Sequence, residues 1–176
     1  MQGAKPKGGI GGEMSRETFD WERRMQPFMD FWYIEELNKN VVNRKESCKK
    51  YDVIVDDLKI EEKFLFTDYD YPQMLVEIIQ DVESWNLGWF HHVEADYLVW
   101  AFCPKDHVSR PRTIYMIKYR RFVEYIIKLL KNANMWERFN INNKYYGITI
   151  NFPVEFEPLV NENIAVKYTF TLKELL

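Results

Sequence analysis

The sequence predicts an α+β (α/β) fold, a central mixed β-sheet flanked by helices. Three observations carry this prediction: an apolar stripe at helical spacing in the first forty residues, several short β-branched or alternating runs in the middle, and a second amphipathic helical stretch directly after one of those runs. The 176 residues suffice for one domain with a real core, and 47% hydrophobic with 29% charged residues is an ordinary globular mix. Aromatic residues make up 16%, which points to a bulky core or to bases and partners to stack on.

Taken in order, Met1 to Glu13 is Gly- and Lys-rich with little to bury, so residues 1–14 read as a flexible tail and 15–176 as a single domain. Ser15 is a candidate N-cap for a helix running toward Asn38, with Glu22, Met25, Met29, Trp32 and Glu36 on one face. Pro27 is expected to kink or divide it. Glu22 and Glu36 interrupt the stripe, either at its solvent edge or as acids turned toward a site. Val41 to Lys50, with Arg44, Lys45, Lys49 and Lys50, reads as a basic connector, either a solvated loop or a phosphate contact. Tyr51 to Phe66 reads as a β-hairpin about an Asp56-Asp57 turn. Further strands are expected at Met74–Ile79, Leu98–Cys103, Thr113–Lys118, Gly147–Phe152 and Val166–Leu172. A helix is expected over Tyr119–Asn132 with Phe122, Ile126, Leu129 and Leu130 inward.

The hairpin carries the chemistry. With a two-residue turn, Val55 faces Leu58, Ile54 faces Lys59, Val53 faces Ile60 and Asp52 faces Glu61. Strand side chains alternate faces, so Asp52, Glu61 and Lys63 leave the ribbon on one side and Glu62 on the other. Two ionised carboxylates held together repel and invite a cation. A hard divalent ion such as Mg²⁺ takes such oxygen ligands, with waters and phosphates completing its shell.

Asp52 followed by Glu61-Glu62-Lys63 resembles the D…(D/E)-X-K signature of the PD-(D/E)XK nuclease superfamily, with Tyr51 in place of the nominal proline. The later stretches LVEII, GWF and ADYLVWAF are similar to a group of PD-(D/E)XK-like proteins of phages and mobile elements, with Trp89 and Asp96 as family-like positions. The resemblance spans roughly Glu22 to Phe102. It implies a restriction-endonuclease-like core and Mg²⁺-dependent hydrolysis of phosphodiesters in DNA, with Mn²⁺ as a substitute. Asp52 and Glu61 would bind the metal, with the Glu62 backbone carbonyl adding a ligand, and Lys63 would steer the attacking water. An acid on the preceding helix would assist, Glu22 first and Glu36 second. The alternatives left open are a catalytically inactive nucleic-acid-binding module of the same fold and a structural or interaction protein of a phage or mobile element.

A DNA surface must be local, because the chain as a whole is −3. From Lys105 to Lys131 there are eight basic residues and two acids, a net +6, and Arg110, Arg112, Lys118, Arg120 and Arg121 are its candidate phosphate contacts. The acidic C-terminal end is assigned to scaffolding or oligomer contacts, with a homodimer left open. His91-His92 and His107 lack the spacing of a zinc site, and no HExxH, Walker loop or nucleophile elbow is present. Cys48 and Cys103 are too few for a disulfide framework and read as free thiols in a reducing cytoplasm. No run is long enough for a membrane span and no signal peptide is visible, so membranes are not an expected partner.

Overall fold

The computed structural model describes residues 11–44, 50–106, 108–131, 139–144 and 147–170. Its fold is α+β. Helix α1 (Gly11–Phe31) passes into a π-helical turn (Trp32–Glu36), and the strands β1 (Val41–Arg44), β2 (Val53–Val55) and β3 (Leu58–Phe66) follow. Next come β4 (Gln73–Asp81), β5 (Asn86–Leu87), a 3₁₀ turn (Trp89–His91), β6 (Tyr97–Cys103), β7 (Thr113–Lys118) and α2 (Tyr119–Leu130). The last described elements are β8 (Asn140–Lys144), β9 (Gly147–Glu155), α3 (Phe156–Asn161) and β10 (Ala165–Thr169).

Two sheets form. The larger has the order β1-β2-β3-β6-β7-β10, and the smaller β5-β4-β9-β8. The larger sheet is mixed: β3 and β6 run parallel and its other neighbouring pairs antiparallel. Strict alternation along β6 divides the core in two. Val99, Ala101 and Cys103 pack under α1 with Met25, Met29, Trp32 and Tyr33. Leu98, Trp100 and Phe102 face β4, β9, α2 and α3 through Met74, Val76, Phe122, Phe152 and Phe156. One face is therefore covered by a helix, as expected, while the other is covered by a second sheet as well as helices.

Several expectations need correcting. Helix α1 opens at Gly11, ahead of Ser15, so the end of the expected tail is helical; residues 1–10 lie outside the described residues. Pro27 neither divides nor ends α1. Met25 and Met29 on either side of it are fully buried, and this packing holds the helix where local preference would break it. The departure from α geometry comes later, at the π turn. Val41–Arg44 is not a loop but an edge strand against β2. Strand β9 runs on through Pro153 to Glu155. Among the described residues no β8 residue lies opposite Pro153, and a strand side without a ladder partner tolerates proline. Cys103 is a free, buried thiol, and Cys48 lies outside the described residues. Among the described residues no helix is long and apolar enough to cross a membrane.

Candidate active site

The hairpin forms in the expected register, with Val53 opposite Ile60, Ile54 opposite Lys59 and Val55 opposite Leu58. Asp56 takes a positive φ of 51° and closes the turn, a conformation that a short polar side chain tolerates. The Asp52 N–H donates to the Ile60 carbonyl at 2.9 Å, which extends the ladder one step beyond β2. In return the Glu62 N–H donates to Asp52 Oδ2 at 2.8 Å. The two motif acids are thus tied by backbone geometry rather than by chance rotamers. Because the N–H and C=O of one strand residue point the same way, the Glu62 carbonyl also leaves β3 on the side of Asp52.

Asp52, Glu61 and Lys63 share the face turned toward α2 and the second sheet. Glu61 is 4% exposed, and its carboxylate forms an ion pair with the Lys63 ammonium. The Glu61 and Asp52 carboxyls lie close enough to feel each other's charge. Burial pushes the Glu61 pKa up to about 7, with Lys63 opposing and Asp52 adding to the rise. Asp52 is raised by burial as well, against the pull of Lys63 and the Glu62 amide. Burial works against the Lys63 charge, but Glu61 and Asp52 outweigh it and hold the ammonium above its ordinary range. Glu22, three residues before Met25 on α1, feels Lys63, Asp52 and Glu62, and its pKa is raised chiefly by burial. It belongs to this electrostatic cluster. Glu36 does not: it is exposed beyond α1 and lines a small pocket with Phe28, Trp32 and Arg110.

Glu62 proves to be a structural residue. Its side chain points to the α1 face, 2% exposed, where Arg44 Nη1 donates at 2.7 Å and the Tyr33 hydroxyl at 3.0 Å. Arg44 also holds Asp30 at 2.6 Å. Arg44, read from sequence as part of a basic connector, is therefore committed to a buried network. Burial disfavours its charge, and Glu62 and Asp30 more than offset that.

The roof over Lys63 was only partly legible. Its ammonium lies 5.5 Å from the centre of the Trp89 ring. Gly88 sets that ring in place, since a Cβ there would come 2.1 Å from the Glu77 carbonyl oxygen. Tyr119, the first residue of α2, donates its hydroxyl to the Phe90 carbonyl at 2.7 Å and lies near enough to Glu61 to feel its charge. Asp96 has a scaffolding role: its Oδ2 accepts the Lys59 N–H at 2.9 Å, and its backbone bonds join β3 to the start of α2. His91 and His92 are exposed.

The candidate phosphate contacts separate. Lys118 pairs in register with Tyr97 at the end of the sheet where Glu61 lies but on the opposite face, where it donates to the Asn163 carbonyl at 3.2 Å, whereas Arg120 and Arg121 follow on the exposed start of α2. Arg112 is six residues away at the other end of β7, roughly 20 Å at ordinary strand rise. There it donates to the Thr67 carbonyl at 2.7 Å and pairs with Asp70 at 3.0 Å. Arg110 stands over the Phe170 ring at the same end. The basic segment is therefore not one surface.

Among the described residues no three His, Cys, Asp or Glu side chains are grouped so that they could hold a metal ion between them. The donor chemistry nonetheless suits a hard cation: a buried carboxylate (Glu61) beside a half-buried one (Asp52), a third acid within electrostatic reach, a backbone carbonyl on the same edge, and an ammonium already among them as a stand-in cation. A cavity of about 280 Å³ lies on the opposite face of the sheet, lined by Tyr33, Tyr97 and Tyr168 among others, and none of these acids lines it. No family model matches the chain, and no curated protein or solved structure matches it.

Proposed function

We propose that this chain is a Mg²⁺-dependent endonuclease of PD-(D/E)XK type, with a restriction-endonuclease-like core, that hydrolyses phosphodiester bonds in DNA. The observation that carries the reading is the convergence of Asp52, Glu61 and Lys63 on one partly enclosed face of a hairpin, with Glu22 reaching the same cluster from α1. Asp52 and Glu61 would hold the ion, the Glu62 carbonyl would add an oxygen, and Glu22 would serve as an auxiliary acid. Bound Mg²⁺, or Mn²⁺ in its place, supplies Lewis acidity at a phosphoryl oxygen and lowers the pKa of a bound water. Lys63 orients the attacking water and steadies negative charge as a P–O bond to water forms and a P–O ester bond breaks. The leaving oxygen takes up a proton, and the products are a phosphate monoester and a hydroxyl.

One observation favours a second reading, a non-catalytic nucleic-acid-binding protein of the same fold: Lys63 already satisfies Glu61, and no third acid completes a metal group among the described residues. Plasmid nicking in Mg²⁺ or Mn²⁺ separates the two. Wild type should nick, and Asp52→Ala and Lys63→Ala should each lose at least about a hundredfold, the scale of removing a group that stabilises the transition state. Equal nicking by all three proteins would mean a contaminating nuclease and would end the catalytic reading.

A further inference from the structure

Lys63 stands between two partners. Its ammonium pairs with Glu61 on one side and lies 5.5 Å over the Trp89 ring on the other. The backbone of β3 is fixed between β2 and β6, but the lysine stem is flexible and its head group can swing without moving the strand. The Trp89 ring, by contrast, is pinned. Gly88 abuts the Glu77 backbone too closely to admit a Cβ, its N–H donates to the Ile78 carbonyl at 2.9 Å, and Trp89 packs against the core shared with the second sheet. An aromatic face is a seat that attracts an ammonium without neutralising it.

We propose that Lys63 is the resident cation of the Asp52–Glu61 pair in the metal-free protein, and that the Trp89 ring is the position to which its ammonium withdraws when a divalent ion takes the carboxylates. This rests on the metal-dependent reading above. An ammonium and a divalent ion at the same Glu61 oxygens repel, so the two compete for that carboxylate. Pairing with Lys63 keeps the two acids from standing together as uncompensated charges. Withdrawal to Trp89 leaves the ammonium beside the site rather than in solvent. Trp89 is in these terms a positioning residue that acts through Lys63.

Calorimetric titration with Mn²⁺ at pH 8, without nucleic acid, tests this independently of turnover. Lys63→Met should bind Mn²⁺ about tenfold more tightly than wild type, since a cation a few ångströms from the site is gone. Trp89→Ala should bind several-fold more weakly, and Trp89→Phe, which keeps a π face, should return close to wild type. If Trp89→Ala does not fold, Trp89→Leu takes its place. In the Lys63→Met background the Trp89 substitution should have no further effect, because its influence passes through the lysine. Binding by Lys63→Met that is equal to or weaker than wild type overturns the proposal, as does an undiminished Trp89 effect in that background. If that happens while wild type still nicks plasmid, the nuclease reading survives alone. If Lys63→Met binds tightly and no nicking is found, the exchange stands and the nuclease reading fails. If neither protein binds Mn²⁺ and wild type does not nick, both fall.

Discussion

Glu61 couples the chemistry to stability. Its carboxyl is pushed up to about 7 by burial, so between its ordinary value of 4.5 and about 7 the folded chain holds a proton that the unfolded chain gives up. Stability from this group is fully present below pH 4.5 and is lost as pH rises through about 7. Glu61→Gln should flatten that slope and stabilise the protein at pH 8 by up to about 3 kcal/mol, from a shift of about two and a half pH units. Urea unfolding from pH 5 to pH 8 checks it, and an unchanged slope in the variant would show that Glu61 ionises in the ordinary range. Nicking should rise over the same interval, because protons compete with a divalent ion for the carboxylate. On the opposite face of β3, Glu62 has the reverse dependence on a partner. Arg44→Leu leaves it buried with only Tyr33, and since Arg44 is itself 17% exposed the cost should be about 2 to 3 kcal/mol, at or below the usual range for breaking a buried pair. Glu62→Gln, which keeps an acceptor for Tyr33, should cost less. Urea unfolding of the two variants in parallel measures the difference.

At the scale of elements, the close approach of Gly88 to Glu77 ties the second sheet to the turn that carries Trp89 over Lys63. Gly88→Ala places a methyl 2.1 Å from the Glu77 carbonyl oxygen, on backbone that cannot step aside. The 3₁₀ turn must move and carry Trp89 with it, at a cost of about 1 to 3 kcal/mol, as for other overpacked sites. Nicking should fall more than stability explains, which a comparison well below the variant's melting temperature would reveal. A variant with wild-type melting and nicking would show that the turn and the strand are not tightly joined. The same junction marks how far the sequence could be read. The hairpin register and the strands Thr113–Lys118 and Leu98–Cys103 were legible because period-two alternation and turn formers act locally. The convergence of Asp52, Glu61 and Lys63 follows from that parity. Strand β1 was not legible, because Asn43 and Arg44 are polar and Arg44 is turned inward by Glu62, a partner 18 residues away. Helix α3 hid among acids that stay at the surface while Phe156 and Leu159 turn in. The seat of Lys63 on Trp89 depends on packing between sheets, which no local pattern encodes.

For the molecule as a whole, the division of the basic residues decides where a nucleic acid could lie. A chain of net charge −3 gains phosphate affinity only where cations cluster away from acids. Arg120 and Arg121 stand at the Glu61 end of the sheet on the exposed start of α2, whereas Lys118 donates to the Asn163 carbonyl on the opposite face and Arg112 is engaged with Asp70 and Thr67 at the other end. A backbone drawn to the acids would therefore cross the start of α2, while the Arg112 guanidinium is already held by Asp70 and the Thr67 carbonyl. Replacing Arg120 and Arg121 with Gln should leave the melting temperature nearly unchanged, since both are exposed and the Arg120–Glu124 pair is a solvent-facing one. The same double variant should weaken DNA retention and lower the slope of log affinity against log salt by about 2, close to one for each phosphate no longer neutralised. Arg112→Gln should behave the other way, losing stability with little change in salt slope. Fluorescence anisotropy on a labelled oligonucleotide across a range of salt concentrations reads both. A salt slope that responds to Arg112 and ignores the α2 cations would move the nucleic acid to the far end of the sheet, out of reach of Asp52 and Glu61, and the cleavage chemistry proposed for those acids would have no substrate beside it.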